Sequence, residues 1–452
     1  MFRAINPLTG ETVRALPLHG EEEVERRLDA ARHAAIGWAD SGAAERAALL
    51  LAVAGVLDRR REELAQLAVE EMGKPVTQAR AEVEKCALVC RYYAEHAADW
   101  LRDETIPTDA RRSGVHHAPL GVVLAIMPWN FPWWQLFRCA APAIAAGNAV
   151  LLKHAPNVPG CALAIEDILR DAGAPHGLLA TLLVDTDTVA RCIADDRVAA
   201  VTLTGSERAG RSVARSAGEA LKPCVLELGG SDPFLVLEGA DLDAALDTAV
   251  QSRTQNNGQS CIAAKRFLVH EDLHEAFLDG LVQRMDALVV GDPAREDTDI
   301  GPLVHRKAVD TLLDQVRRSV AAGARLRLGG EPPGGPAAFF PPTVLDHVQP
   351  GMPAFDEELF GPVAPVTPVR DTEHAVQLAN RSRYGLGATV FAAPGAGEAL
   401  IPRLRCGHVS VGGMVKSDPR LPFGGVGASG FGRELARDGL LAFVNRKAFR
   451  VD

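Results

Sequence analysis

Along residues 20–100, apolar positions recur every three or four residues among Glu, Arg and Ala, the spacing of amphipathic helices. From about residue 115 the pattern changes. Short apolar runs, "GVVLAIM", "AVLLK", "LLATLLV", "VAAVTLTG" and "PCVLEL", alternate with helical stretches such as "GCALAIEDILRDAG" and "ERAGRSVARSAGEAL". Strand, helix, strand, helix in that order predicts a parallel sheet with crossover helices, an α/β fold. After Gly229 and Gly230 a second alternating unit begins, with "PFLVL", "LDAALDTAVQSR", "AKRFLVH" and "LHEAFLDGLVQRMDAL". The Gly-Pro-rich "GGEPPGGPAAFFPPT" at 329–343 reads as a loop within that unit, too short for a domain linker.

Composition and residue distribution narrow the picture. A chain of 452 residues exceeds one hydrophobic core, so two or three domains are expected. A net charge of −10 with no long basic stretch argues against a nucleic-acid partner. The most apolar region, "GVVLAIMPWNFPWWQLFRCAAPAIAAGNAVLL", is broken by Pro128, Pro132, Arg138 and Pro142, so no span approaches the ~20 residues of a membrane helix. The first thirty residues lack the apolar core of a secretion signal. None of the eight cysteines forms a C-x-x-C pair, which speaks against a zinc or thioredoxin site. The expectation is a soluble protein in a reduced, cytoplasmic setting, with no metal.

Three stretches carry candidate chemistry. In "NNGQSCIAAKR" (256–266) Cys261 follows polar amide and hydroxyl residues instead of the apolar neighbours of a packing cysteine. An unperturbed thiol is only a few per cent ionised at neutral pH, and backbone N–H groups of such a loop could stabilise the thiolate. In "KPCVLELGGSDPF" Glu227 closes an apolar strand just before two glycines. It reads either as a general base whose pKa burial raises or as an outward-facing strand residue. In "MPWNFPWWQLFR" Asn130 is an amide among aromatics, and Pro132 suits the first turn of a helix. If that helix includes Asn130, then Asn130, Trp134 and Arg138 share one face. The pair would supply an oxyanion donor and an anion-binding group, although a structural salt bridge accounts for Arg138 equally well.

Two glycine clusters compete as a phosphate site, since helix N-termini favour anions. "GGVGASGFG" (424–432) contains G-x-G-x-x-G, but the preceding "RLPF" is a poor strand and too little chain follows for a βαβ unit. It reads as a tight loop. "VAAVTLTGSERAG" (198–210) is a strand ending in Thr204-Gly205-Ser206 at the start of a helix, where a pyrophosphate could sit; simple N-capping by Ser206 is the alternative.

Taken together and in this order, "PWNFP", "LTGS", "LELGG", "NNGQSC", "EELFGP" and "PFGGVGASGFGRE" resemble the NAD(P)-dependent aldehyde dehydrogenase superfamily, from "INPLTGE" at residue 5 to the C-terminus. "MPWNFPWWQLFR", "LLKHAPNVPGCA", "LELGGSDPF" and "SDPRLPFGG" are most similar to a bacterial succinate-semialdehyde dehydrogenase subgroup. The resemblance implies two Rossmann-like parallel-sheet domains plus a small β oligomerisation element. Residues 1–100 and 119–229 would bind the cofactor, 230–443 would form the catalytic domain, and 101–118 with 444–452 would pair protomers into a homodimer or homotetramer.

It also implies roles. Cys261 would be the nucleophile, Asn130 and the Cys261 N–H the oxyanion hole, and Glu227 the base for hydrolysis. Trp129, Lys153, Gly205, Ser206, Glu358 and Phe360 would hold NAD or NADP. The reaction would run from aldehyde to carboxylate through a cysteine thiohemiacetal and a thioester. Arg138 and Ser417 match substrate-carboxylate binders, but Gln255 stands where some members have a second arginine, which Arg420 could replace. Pro156 occupies the position of a glutamate in NAD-specific members, so both cofactors are expected to work, with Lys153 or a neighbour available to a 2′-phosphate. His154 is equally open to a structural role. A neutral aliphatic or hydroxy aldehyde is the alternative substrate, and a non-catalytic relative the remote alternative.

Overall fold

The computed structural model describes residues 1–452. Four helices, Glu21–Ala39, Ala43–Arg59, Arg61–Met72 and Val76–Trp100, precede and pack against a six-stranded sheet. Its strands run Gly430–Phe431, Cys224–Glu227, Val198–Thr204, Val122–Met127, Ala149–His154, Leu179–Thr181 across the sheet, parallel except for the first. Every side chain of Val122–Met127 but Ile126 is buried, as expected of a strand covered by helices on both faces. The chain leaves Val122–Met127 to one side and returns to add Val198–Thr204 on the other. The carboxyl ends of these two strands therefore flank a topological switch point, the crevice where open α/β sheets take ligands.

A seven-stranded sheet forms the second unit, in the order Arg325–Leu328, Thr343–Asp346, Val363–Val369, Ala264–His270, Asp232–Val236, Gly387–Phe391, His408–Val411. All neighbours but the first pair are parallel. The third sheet is antiparallel: Val444–Val451 pairs along its whole length with Arg112–Pro119, which also pairs with Glu104–Thr105. No helix is long and apolar enough to cross a membrane.

The chain segment 423–443 departs from the expected division. Phe423, Leu435, Leu440 and Phe443 are buried in the core of the first sheet, and Gly430–Phe431 extends that sheet beside Cys224–Glu227. The glycine cluster 424–432 is thus an edge strand with a tight turn; no α-helix opens within it as a fingerprint needs, and the short helix Ala436–Leu441 starts only beyond it. A Cβ at Gly430 would lie 2.0 Å from the Leu226 carbonyl oxygen, which explains the glycine there.

Candidate active site

The loop that carries Cys261 is built from the residues that made it conspicuous. Asn256, Asn257 and Gly258 adopt φ values of 56°, 58° and 75°, the left-handed region that Asn and Gly tolerate best. A Cβ at Gly258 would lie 2.4 Å from the Gly361 carbonyl carbon, so Gly is required there twice over. The amide of Asn257 donates to the Gly73 and Pro302 carbonyls and accepts from the Gly301 N–H. Lys265, fully buried, donates to the carbonyls of Ser260 (2.8 Å) and Cys261 (2.7 Å) and pairs with Glu358 at 3.1 Å. Arg253 donates to the carbonyls of Gly258 and Ala264. The two cations just before and after the loop therefore hold its backbone.

The aromatic loop before helix Trp134–Ala145 faces it. Asn130 lies in the turn upstream of that helix, not on it, because the helix starts only at Trp134. Its Nδ2 donates to the Gln259 carbonyl at 3.0 Å, and its own carbonyl accepts from Asn256. Glu82, from helix Val76–Trp100, accepts the N–H groups of Trp133 (2.8 Å) and Trp134 (2.9 Å), satisfying free donors of the helix start. Its other oxygen pairs with the fully buried Lys74, whose ammonium lies 4.0 Å from the centre of the Phe131 ring. Lys74, Glu82 and the carbonyl-binding role of Lys265 were not expected from the sequence. The available signal was Glu82 itself, a carboxylate among the buried positions Ala79, Val83 and Cys86.

Cys261 stands where two cavities meet. One, about 240 Å³, opens at the switch point and is lined by Trp129, Asn130, Gly205, Ser206, Glu358 and Phe360. Trp129 and Phe360 meet edge to face, their ring centres 5.9 Å apart. Ser206 caps helix Glu207–Glu219 by accepting from the Ala209 N–H, so the capping reading holds and the helix N-terminus still faces the crevice. The other cavity, about 440 Å³, is lined by Arg138, Gln255, Ser417, Trp134 and Lys85 among others. Gln135 and Cys261 belong to both walls.

Three of the expected residues lie differently. Lys153 is on neither wall; it sits half-buried at the end of strand Ala149–His154, and burial lowers its pKa. Glu227 also lines neither cavity. Its carboxyl is buried beside Gly424 with both oxygens unpartnered, and burial plus the charge of Glu434 holds it well above the usual carboxylate range. Arg138 lines the larger cavity but is ion-paired with buried Glu434 and donates to Thr204 Oγ1 at 3.2 Å. Arg420 is exposed and bound to Asp418, outside the cavity, so it does not replace the missing arginine. His154 is buried, accepts from the Ala155 N–H and contacts the Pro132 carbonyl; burial lowers its pKa to about 4, so it is structural and uncharged at neutral pH.

The Cys261 thiol is pushed up to about 11 by burial, which the charges of Arg138 and Lys265 only partly offset. At neutral pH it rests protonated, and attack requires it to lose that proton. Outside both cavities, His274, Asp346 and His347 cluster, with His274 Nε2 and His347 Nδ1 2.9 and 2.8 Å from the Asp346 carboxylate, which Arg327 also approaches.

Two Rossmann-like units that bring a crevice, a second cavity and a thiol to one point define a two-domain α/β oxidoreductase. The model of the aldehyde dehydrogenase family matches residues 1–449. The chain is 50% identical over 444 residues to a probable succinate-semialdehyde dehydrogenase (NADP(+)) of Synechocystis sp., covering 98% of both chains. It is 48% identical to the succinate semialdehyde dehydrogenase (NAD(P)+) Sad of Escherichia coli K12, covering 98% of this chain and 96% of that one. Among solved structures, the succinic semialdehyde dehydrogenase of Streptococcus pyogenes, in complex with NADP+, superposes with a TM-score of 0.98 at 36% identity over all of both chains. This chain belongs to the aldehyde dehydrogenase family.

Proposed function

We propose that the protein oxidises succinate semialdehyde, or a similar short aldehyde acid, to the dicarboxylate with NADP or NAD. The observation that carries this is the position of Cys261 on the shared wall of the switch-point crevice and a cavity containing Arg138, Gln255, Ser417 and Lys85. The relatives named for this substrate, and for NADP(+) or NAD(P)+, support it. The crevice fits a dinucleotide on its own terms: a capped helix N-terminus for pyrophosphate and, opposite it, Glu358 and the Trp129–Phe360 pair for ribose and ring. When bound, the cofactor supplies the hydride acceptor.

The protein's own groups do the rest. Cys261 Sγ gives up its proton to solvent water and forms a bond to the aldehyde carbon, while the C=O π bond opens and its oxygen takes up the negative charge. Asn130 Nδ2 and the Cys261 N–H donate to that oxygen, a pair of fixed dipoles that reorganises little during reaction. After oxidation the carbon is a thioester on Cys261. Glu227, turned from its resting place toward the thioester, takes a proton from water; the hydroxyl adds to the carbonyl carbon, the C–S bond breaks and the acid leaves. A family member that passes its acyl group to another thiol has no need of that base.

The direct test is formation of reduced cofactor with succinate semialdehyde and with butanal. A strong preference for the semialdehyde in kcat/KM supports the reading, and equal values assign the enzyme to neutral aldehydes. Cofactor choice gives a second test. Pro156 is exposed, directly after the Lys153–His154 strand end, and places no carboxylate there. Replacing Pro156 by Glu is expected to raise the KM for NADP by about ten-fold, by like-charge repulsion at an exposed site, with little change for NAD. Equal effects on both cofactors would place the 2′-phosphate elsewhere.

A further inference from the structure

The substrate cavity holds a cation that the sequence did not single out. Lys85 lies on the face of helix Val76–Trp100 that also brings Gln78, Glu82 and Leu88 to the cavity wall. Its ammonium donates to Ser417 Oγ at 2.7 Å and stands 4.1 Å from the centre of the Trp134 ring. These two contacts fix the position of a long, otherwise mobile side chain.

Lys85 has no carboxylate partner. The nearest acids are committed elsewhere: Glu82 to Lys74 and to the Trp133 and Trp134 N–H groups, Asp418 to Arg420. Arg138, on the same cavity wall one helical turn beyond Trp134, is charge-compensated by Glu434. Lys416 also reaches the wall, but it is exposed and its charge is screened by solvent. A half-buried cation without a counter-ion is costly, and a cavity that contains one is built for an anion.

We propose that Lys85 is the specificity-determining cation of this enzyme: with Ser417 it binds the distal carboxylate of the substrate, and Arg138 lends a polarised edge to the same subsite. The inference rests on the aldehyde-acid reading above. It explains how the subsite works with Gln255 in place of a second arginine, because the charge comes instead from helix Val76–Trp100.

Burial, reinforced by the positive charge of Arg138, lowers the pKa of Lys85 to about 8, with Cys86, Glu82 and Asp418 opposing. These groups surround it, and Lys416 and the Cys261 thiol share its cavity wall. Asp418 is held at about 2 and Cys86 well above the ordinary thiol range, so neither changes charge near pH 8. Since kcat/KM reports the free enzyme, the discrimination should follow the Lys85 proton.

The test is the ratio of kcat/KM for succinate semialdehyde to that for butanal, measured with wild-type enzyme, Lys85→Met and Lys85→Arg. Steps at Cys261 and Glu227 are common to both aldehydes and cancel in the ratio. Lys85→Met is expected to lower it on the order of ten- to hundred-fold, the range for a hydrogen-bonded charge, chiefly through the KM for the semialdehyde. Lys85→Arg should recover part of it. The wild-type ratio should fall between about pH 7 and about pH 9.5, and that fall should be absent in Lys85→Met. The wild-type pH series needs no variant and decides the matter if Lys85→Met fails to fold. An unchanged ratio in Lys85→Met, or a wild-type ratio flat with pH, would overturn the role of Lys85 while leaving the substrate reading in place. A wild-type enzyme without preference for the semialdehyde removes that reading, and the inference with it.

Discussion

Cys261→Ala is expected to lower formation of reduced cofactor by at least about 10⁴-fold with every aldehyde, without loss of the fold. The residue is small and sits at the junction of two cavities, so its truncation removes a reacting atom and little packing. Nothing else nearby can replace it. Cys86, Cys139 and Cys161 are buried, with thiols held far above the neutral range by burial, and none lines either cavity. The assay is reduced-nicotinamide absorbance in both the first turnover and the steady state. A variant that still gave a first-turnover burst would place the nucleophile elsewhere.

Glu227→Gln is expected to separate the two halves of the reaction. The first equivalent of reduced cofactor should form at close to the normal rate, because oxidation of the thiol adduct does not use this carboxylate. Steady turnover should fall about 10²–10⁴-fold, the usual contribution of a positioned general base. The pH dependence follows from its environment. Burial and Glu434 hold the carboxyl well above its ordinary range, so the base form grows as pH rises and deacylation in the wild type should accelerate with it. The Gln variant should lack that rise. Because the resting carboxyl lines neither cavity, the base must turn about its own side-chain bonds to act. A Gln variant with wild-type steady turnover would assign hydrolysis to another group.

Much of this architecture is legible in the sequence because it follows local rules. The apolar runs "GVVLAIM", "VAAVTLTG" and "AKRFLVH" became strands Val122–Met127, Val198–Thr204 and Ala264–His270, and the glycine-asparagine loop before Cys261 became three left-handed residues. The cofactor crevice was legible for the same reason, as loops that follow neighbouring strand ends share one edge of a sheet. Long-range pairings were not. Lys85 meets Ser417 across 332 residues, and Arg138 meets Glu434 across the chain. No periodicity announces either. Segment 423–443 belongs to the first core although it follows the second sheet, because its apolar residues return past the whole catalytic unit. The orientation of Glu227 was equally hidden, since a strand-end carboxylate can turn to either side of the sheet edge.

The proposed reaction turns on one covalent event, the capture of the aldehyde carbon by Cys261. The most direct measurement is mass spectrometry of wild-type enzyme mixed with succinate semialdehyde and NADP and acid-quenched within the first turnover, followed by peptide mapping. One succinyl group per chain is expected, held as a thioester within the peptide that contains Cys261 and released by hydroxylamine. Reduced cofactor formed with the Cys261 peptide unmodified, or an acyl group on any other residue, would contradict it.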